Sequence, residues 1–261
     1  MGAERTDLKV EYDKRYEGGY RSRLEGYEVA RWKALAHFFG KGLGKKVASK
    51  GKILDYGAGN GLYYPLWQRL FPLADIYCCD ISPVAREKFI QNYSFHPEHY
   101  GLVVNKRIPF NDDSFDLIVS IEVMEHAENL DNFLKEAWRV LKVGGIFVWT
   151  TPCANAGSIE HIYSHSTANV EKTADGFRKW KWEDPSHIRR LKSGEVKYLL
   201  ENLNFFDIHF RFRSHFFSFI CSRLAERKKL GQKAAEKMIE LDYKLFRLLP
   251  NGASMIGLAK K

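Results

Sequence analysis

Apolar residues along this chain recur at two spacings, and the switches between them mark out its elements. Near the N-terminus Tyr12, Tyr16, Tyr20, Leu24 and Tyr27 recur at helical spacing, interrupted by Gly18-Gly19. Val29, Trp32, Leu35, Ala36 and Phe39 form a second, better helical stripe, and a loop rich in glycine and lysine fills residues 40–50. Short apolar runs then read as strands: one ending at Ile53 and Leu54, then residues 74–79, 102–104, 117–120 and 146–150. Helical stripes separate them. Residues 62–71 form one, with Pro65 confined to its first turn, and a second opens at Ser82-Pro83. A third covers residues 130–141, with Phe133, Leu134, Ala137, Val140 and Leu141 on one face and Gly144-Gly145 ending it. Residues 153–190 carry no regular period. They hold Trp180 and Trp182, which favour a packed lid over a structureless loop. A helix at 194–203 and an alternating strand at 205–212 follow. About 40 residues then intervene, with a helix marked by Ala234, Ala235, Met238, Leu241 and Leu245, before a last strand at 253–259. Strands alternating with helices predict an α/β fold around a mostly parallel sheet.

The composition narrows the setting. The 261 residues, 45% hydrophobic and 14% aromatic, suffice for one large α/β domain with a filled core. Cys78 and Cys79 are adjacent and point to opposite faces of a strand, which suits buried thiols, and no Cys-x-x-Cys spacing suggests zinc. The charged N-terminal stretch and the lack of any membrane-length apolar run predict a cytoplasmic protein in a reduced compartment. The net charge of +9 is uneven: +5 over residues 1–50, −4 over 51–150 and +8 over 151–261. A basic excess outside the central segment suits either solvated surface or an anionic ligand such as a phosphate-bearing sugar, a lipid-linked glycan or nucleic acid.

The candidate chemistry starts at Asp55-Tyr56-Gly57-Ala58-Gly59-Asn60-Gly61. Alternating glycines between a strand and a helix let a ligand pack against bare backbone at the carboxyl end of a parallel strand. A dinucleotide fingerprint requires glycine at the sixth position, where Leu62 stands. Asp80, about 20 residues beyond the loop and ending the next strand, can accept from both hydroxyls of a ribose. Capping of the following helix is the other role open to Asp80 or Ser82.

With Asp55 two residues ahead of the glycines, the loop resembles the Asp-x-Gly-x-Gly-x-Gly signature of class I S-adenosylmethionine-dependent methyltransferases. The resemblance extends through Ile108-Pro109-Phe110, Ser114-Phe115-Asp116, Ile121-Glu122-Val123-Met124-Glu125-His126 and the helix ending near Gly144-Gly145. It covers about residues 53–152 and is to the branch that includes the ubiquinone-biosynthesis O-methyltransferases. It implies a Rossmann-like, seven-stranded, mostly parallel sheet with helices on both faces and an antiparallel last strand. It implies one methyltransferase domain over 1–261, with an N-terminal helical lid (1–45), a cofactor-binding core (46–152) and substrate-side insertions (153–190 and 214–250). S-adenosylmethionine is the implied cofactor. Asp55, Tyr56, Gly57, Ala58, Gly59 and Gly61 would form its loop, Asp80 would hold its ribose and Ile81 would lie on its adenine. Asn105 stands where the family usually has an acidic residue at the adenine edge. Ser120, Ile121 and Glu122, at the fourth strand's exit, complete the set, and Tyr16 and Arg21 of the lid reach toward the methionine carboxylate.

Methyl transfer to a hydroxyl requires a group that takes its proton, and histidine has a suitable pKa. His126, just beyond the fourth strand, and His187, at the end of the first insertion, are the candidate bases. His161 and His165 have the i, i+4 spacing of a metal pair but no third ligand nearby in sequence, so no metal site is assigned. The preferred reaction is O-methylation of a small-molecule or glycan-type, anionic acceptor, with peripheral contact to a lipid-linked substrate compatible. An RNA or protein methyltransferase, and a catalytically silent cofactor-binding scaffold, remain as alternatives. The fourth-strand exit lacks the Asn/Asp-Pro-Pro-Tyr-like motif used on exocyclic base nitrogens, and the sequence sets no oligomeric state.

Overall fold

The computed structural model describes residues 7–20, 24, 26–41 and 51–261. Two helices come first, α1 (Leu8–Glu17) and α2 (Tyr27–Lys41). The sheet then builds through β1 (Lys52–Tyr56), α3 (Tyr64–Leu70), β2 (Asp75–Asp80), α4 (Pro83–Asn92), β3 (Tyr100–Leu102), β4 (Phe115–Ile121), α5 (Leu130–Val140) and β5 (Leu141–Pro152). An excursion follows through α6 (Ile159–Ser166) and the hairpin of β6 (Val170–Lys172) and β7 (Arg178–Trp180). The chain returns by α7 (Ser193–Glu201) and β8 (Phe206–Arg213), leaves again through α8 (Phe217–Glu226) and α9 (Gln232–Phe246), and ends in β9 (Ser254–Lys260).

The seven strands lie in the order β3-β2-β1-β4-β5-β9-β8. Neighbours from β3 to β5 pair in parallel, whereas β9 runs antiparallel to both β5 and β8. This is the Rossmann-like architecture that the sequence predicts. Central strands read as nearly unbroken apolar runs because both faces are covered. Ile53, Leu117, Val119 and Val148 face one side, with Leu35 and Phe39 of α2, Trp67 of α3 and Phe89 of α4. Leu54, Ile118 and Phe147, one residue out of step, face Phe133, Leu134 and Val140 of α5 and Val196 and Leu200 of α7. The period of two divides the strands between two cores. All four cysteines are buried free thiols, and no helix among the described residues is long and apolar enough to cross a membrane.

Several boundaries differ from the sequence reading for local reasons. β1 continues through Asp55 to Tyr56, so the chain turns at Gly57 and not at Asp55. α3 begins only at Tyr64, because Pro65 occupies its first turn. α5 stops at Val140, before the glycine pair; Gly144, at φ 79°, instead bends the start of β5. β3 starts at Tyr100, two residues earlier than the apolar run suggests. Residues 153–190 are not irregular throughout: Ser158 Oγ accepts from the His161 N–H and starts α6, and the β6–β7 hairpin follows. The aromatic run after His215 forms α8. Both excursions leave the carboxyl ends of their strands, the rim where ligands bind in an open α/β sheet.

Candidate active site

A cleft of about 280 Å³ opens at this rim, lined by Tyr56 and Gly57 after β1, Asp80 and Ile81 after β2, and Ile121, Glu122 and His126 after β4. The loop between β1 and α3 depends on two glycines here. Gly57, at φ 85°, donates its N–H to the Cys79 carbonyl at 2.8 Å, and a Cβ there would strike Val123. Gly59, at φ 55°, sends its N–H to Asp80 Oδ2 at 2.9 Å, and a Cβ would strike the Tyr16 hydroxyl. The other Asp80 oxygen accepts from the Ser82 N–H at 3.0 Å. Two backbone donors thus aim the carboxylate, while each oxygen keeps lone-pair capacity for a further donor. Burial raises the Asp80 pKa, opposed by these hydrogen bonds. Ser82 Oγ caps α4 through the Ala85 N–H, which leaves Asp80 available to the cleft.

The other loop residues support this wall. Asp55 lies beneath the cleft floor, 3% exposed, and accepts from Trp67 Nε1 at 2.7 Å. Burial, with a smaller contribution from the Asp80 charge, raises its pKa to about 7. Tyr56 stacks on Phe133 at 4.5 Å, and Ser120 Oγ donates to the Tyr56 carbonyl. The Ala58 N–H donates to the Cys79 carbonyl, and the Gly61 carbonyl accepts from the Tyr93 hydroxyl. Asn105, at φ 51°, sits exposed at the tip of a tight turn; its neighbours Val103 and Lys106, not Asn105 itself, line the cleft.

Helix α1 lies across the opening. Tyr12 and Tyr16 from it, and Tyr20 from the turn that follows it, line the cleft, with ring centroids within 6.2 Å of one another. Asp13 accepts from Ser82 Oγ, and Lys88 of α4 donates to the Tyr16 carbonyl. On the other side Arg15 makes a two-pronged contact with Asp184 at 2.8 and 2.9 Å. Arg21 lies outside the described residues.

The β4 exit holds buried charge. Glu122 adopts a positive φ of 56° and is bonded by Arg31 Nη2 at 2.9 Å and Thr150 Oγ1 at 2.8 Å. Such a conformation costs a non-glycine residue energy and is often found at functional sites. Glu125, 0% exposed, accepts from Thr151 through Oε2, while Oε1 has no hydrogen-bond partner. Burial and then the Glu122 charge raise the Glu125 pKa well above the carboxylate range.

His126 lines the cleft; His187 does not, but its ring meets that of His126 with centroids 4.8 Å apart. His126 Nδ1 contacts the Ser186 carbonyl at 3.0 Å, and His187 Nδ1 contacts Glu183 at 3.2 Å. Both partners only accept, so each Nδ1 carries a hydrogen. Burial lowers the His187 pKa, but the Glu183 hydrogen bond and the charges of Glu125 and Glu183 outweigh it, and the net shift is upward.

The folded chain therefore brings together two histidines that the sequence selects and adds Glu125, which the sequence displays within its Glu-His pair but gives no role. Tyr12 and Tyr20 were likewise visible only as part of a helical stripe. His161 and His165 stack on one another at 3.9 Å beside Trp180, away from this cluster. A second cavity of about 370 Å³ lies between the excursions, lined by Trp182, Glu183, Asp184, Phe219 and Arg223.

Residues 54–149 match a family of methyltransferase domains. The chain is 33% identical over 102 residues to a malonyl-[acyl-carrier protein] O-methyltransferase of Methylococcus capsulatus, covering 38% of this chain and 37% of that protein. It is 36% identical over 117 residues to the mitochondrial ubiquinone biosynthesis O-methyltransferase of Rattus norvegicus, covering 41% and 32% respectively. These matches span well under half of either relative. A Haemonchus contortus phosphoethanolamine N-methyltransferase 2, solved with S-adenosyl-L-methionine, superposes with a TM-score of 0.63 at 16% identity, over 98% of this chain and 60% of that one. At that identity the likeness is one of fold.

Proposed function

We propose, from the premise that residues 54–149 are a methyltransferase domain of the class I S-adenosylmethionine-dependent superfamily, that the protein methylates an oxygen of a small-molecule or glycan-type, anionic acceptor. The observation that carries this reading is the single cleft that joins Asp80 and the bare Gly57 backbone to His126. The residues present fit the cofactor. Asp80, held by two N–H groups, would take ribose hydroxyls, Ile81 would cover the adenine, and Tyr16 would close over the loop. S-adenosylmethionine, when bound, supplies a methyl group already activated on a sulfonium. What the chain must add is alignment and exclusion of water. Helix α1 serves exclusion, latched on both sides of the opening. The Glu125–His126–His187 cluster prepares the acceptor hydroxyl, with His126 the member that reaches the cleft. An acceptor with negative charge is supported by the +8 excess over residues 151–261 and by Lys9 and Lys106 at the cleft.

Calorimetric titration with S-adenosylmethionine, its demethylated product and NAD tests the cofactor; a preference for NAD overturns the reading. Transfer of labelled methyl into small-molecule pools sorted by anion exchange tests the acceptor. Label confined to neutral compounds, or to RNA or protein, removes the anionic small-molecule assignment.

A further inference from the structure

The geometry points to a glycosyl-binding subsite in the second cavity, where a neutral sugar ring of the acceptor would rest while its reacting hydroxyl lies in the cleft. The cavity's volume of about 370 Å³ falls within the range of small-ligand pockets, roughly 300–1,000 Å³. Its walls come from α6, the segment 182–184 and α8. Trp182 and Phe219 form a half-buried apolar corner, with ring centroids 5.7 Å apart. The negative face of an aromatic ring attracts the slightly positive C–H side of a sugar, and its apolar area shields that side from water. Trp182 is fixed by its Nε1, which donates to Ser164 Oγ at 2.9 Å. Ser218, 1% exposed, lines the cavity with an Oγ that has no hydrogen-bond partner among the described residues, a cost that a ligand hydroxyl would remove.

The charges select a neutral, hydroxyl-rich ligand over an ion. Glu160, Glu183 and Asp184 line the cavity and would repel an anion. Each is already paired: Glu160 and Glu183 with Arg190, at 2.6 and 2.8 Å, and Asp184 with Arg15, at 2.8 Å. Their pull on a further cation is therefore largely cancelled. Arg223 opposes one directly, its guanidinium carbon 5.5 Å from the Trp182 centroid and 5.4 Å from that of Phe219. Paired carboxylates keep lone-pair capacity for hydroxyl donors, while a guanidinium and serine hydroxyls donate to hydroxyl oxygens. The cavity also adjoins the cleft. Ser186 Oγ donates to Asp184 Oδ1 at 2.7 Å and lies 3.5 Å from the hydroxyl of Tyr12, a cleft residue, so one hydrogen-bonded segment separates the two spaces. Asp184 is also the residue that Arg15 of α1 grips, and a ring seated here would steady the helix that covers the cleft. The role in catalysis rests on the glycan-type reading of the acceptor, whereas saccharide binding in the cavity does not.

The test is saturation-transfer NMR on the full chain with the methyl glycosides of glucose, galactose, mannose and N-acetylglucosamine, with choline and succinate as charged controls. At least one glycoside should bind. Its affinity should fall at least fivefold in Trp182→Ala and in Ser222→Phe, which would fill the cavity while leaving its carboxylates and the α1 clasp in place. Tyr198→Ala, exposed on α7, should bind as the wild type does. Thermal unfolding verifies that each variant is folded; if Trp182→Ala is not, Ser222→Phe decides. No glycoside binding by the wild type, equal affinity in folded variants, or tighter binding of choline or succinate at this cavity overturns the subsite. Glycoside binding through the cavity, with no labelled methyl entering any saccharide, overturns the glycan-type acceptor alone.

Discussion

His126 and His187, from opposite ends of a 61-residue separation, meet ring to ring at 4.8 Å, each fixed through its Nδ1 by a different acceptor. His126 Nε2 lies 3.9 Å from Oε1 of the buried Glu125. Replacing His126 by alanine should lower kcat by about 10²-fold, the usual scale for loss of a proton-transfer or activating group. Cofactor affinity should stay within twofold, because the Asp80 wall is untouched. Steady-state turnover paired with cofactor titration makes the check, and an undiminished kcat removes His126 from the chemistry.

Asp80→Ala should weaken cofactor binding by about 1–3 kcal/mol, the range for losing hydrogen bonds to a charged group. The substitution also strands the Gly59 N–H that Asp80 accepts. Asp80→Asn keeps an acceptor oxygen and should lose less. Calorimetry on both variants distinguishes the ribose contact from loop support; equal, small losses would leave Asp80 a purely structural part.

The clasp between Arg15 and Asp184 should govern how firmly α1 covers the cleft. Burial opposes ionisation of Asp184, yet hydrogen bonds from Arg15 and Ser186 outweigh it and hold the carboxyl well below its usual range. Its contribution is therefore fully present above the unfolded carboxylate pKa, about 3.9, and is lost progressively as pH falls from there toward the lower folded pKa. Arg15→Ala should raise the cofactor KM several-fold. Hydrogen exchange of α1, corrected for intrinsic rate, should rise in the variant at neutral pH and in the wild type below about pH 4.

Asp55 has the opposite sign. Its folded pKa of about 7 lies above the unfolded value, so the folded state retains a proton that the unfolded chain has released. Stability should decline from about pH 4 to pH 7 and level off above, by up to about 4 kcal/mol. Asp55→Asn keeps an oxygen for Trp67 Nε1 and should remove this component. Urea unfolding of both proteins between pH 4 and 8 measures it; parallel curves would contradict the shift.

The alternation of strand and helix was legible because the central strands are covered on both faces and their apolar runs are continuous. The glycine loop and the nearness of Asp80 to it were legible, because close approach leaves glycines in residue order and Asp80 ends the neighbouring strand, where its carboxylate accepts from the Gly59 N–H. The excursion at 153–190 was not. Its strands are three residues each, and α6 is set by the Ser158 cap more than by an apolar stripe. Glu125 illustrates the harder limit. It stands beside His126 in sequence, but its proximity to His187 depends on the excursion folding back, where the Ile188 N–H donates to the Glu125 carbonyl. Asn105 shows the converse: a residue at the expected place in the order, turned out to solvent by a tight turn at positive φ.

Helix α1 grips α4 on one flank and the first excursion on the other. Under the proposed function, one bar would bridge the nucleoside side of the cleft and the acceptor side. Neither product would then depart by loosening its own flank without disturbing the opposite one, which would couple their exits. The pace of repeated cycles would then be set by unlatching this bar, so that a weaker latch speeds departure while the bond-making step slows.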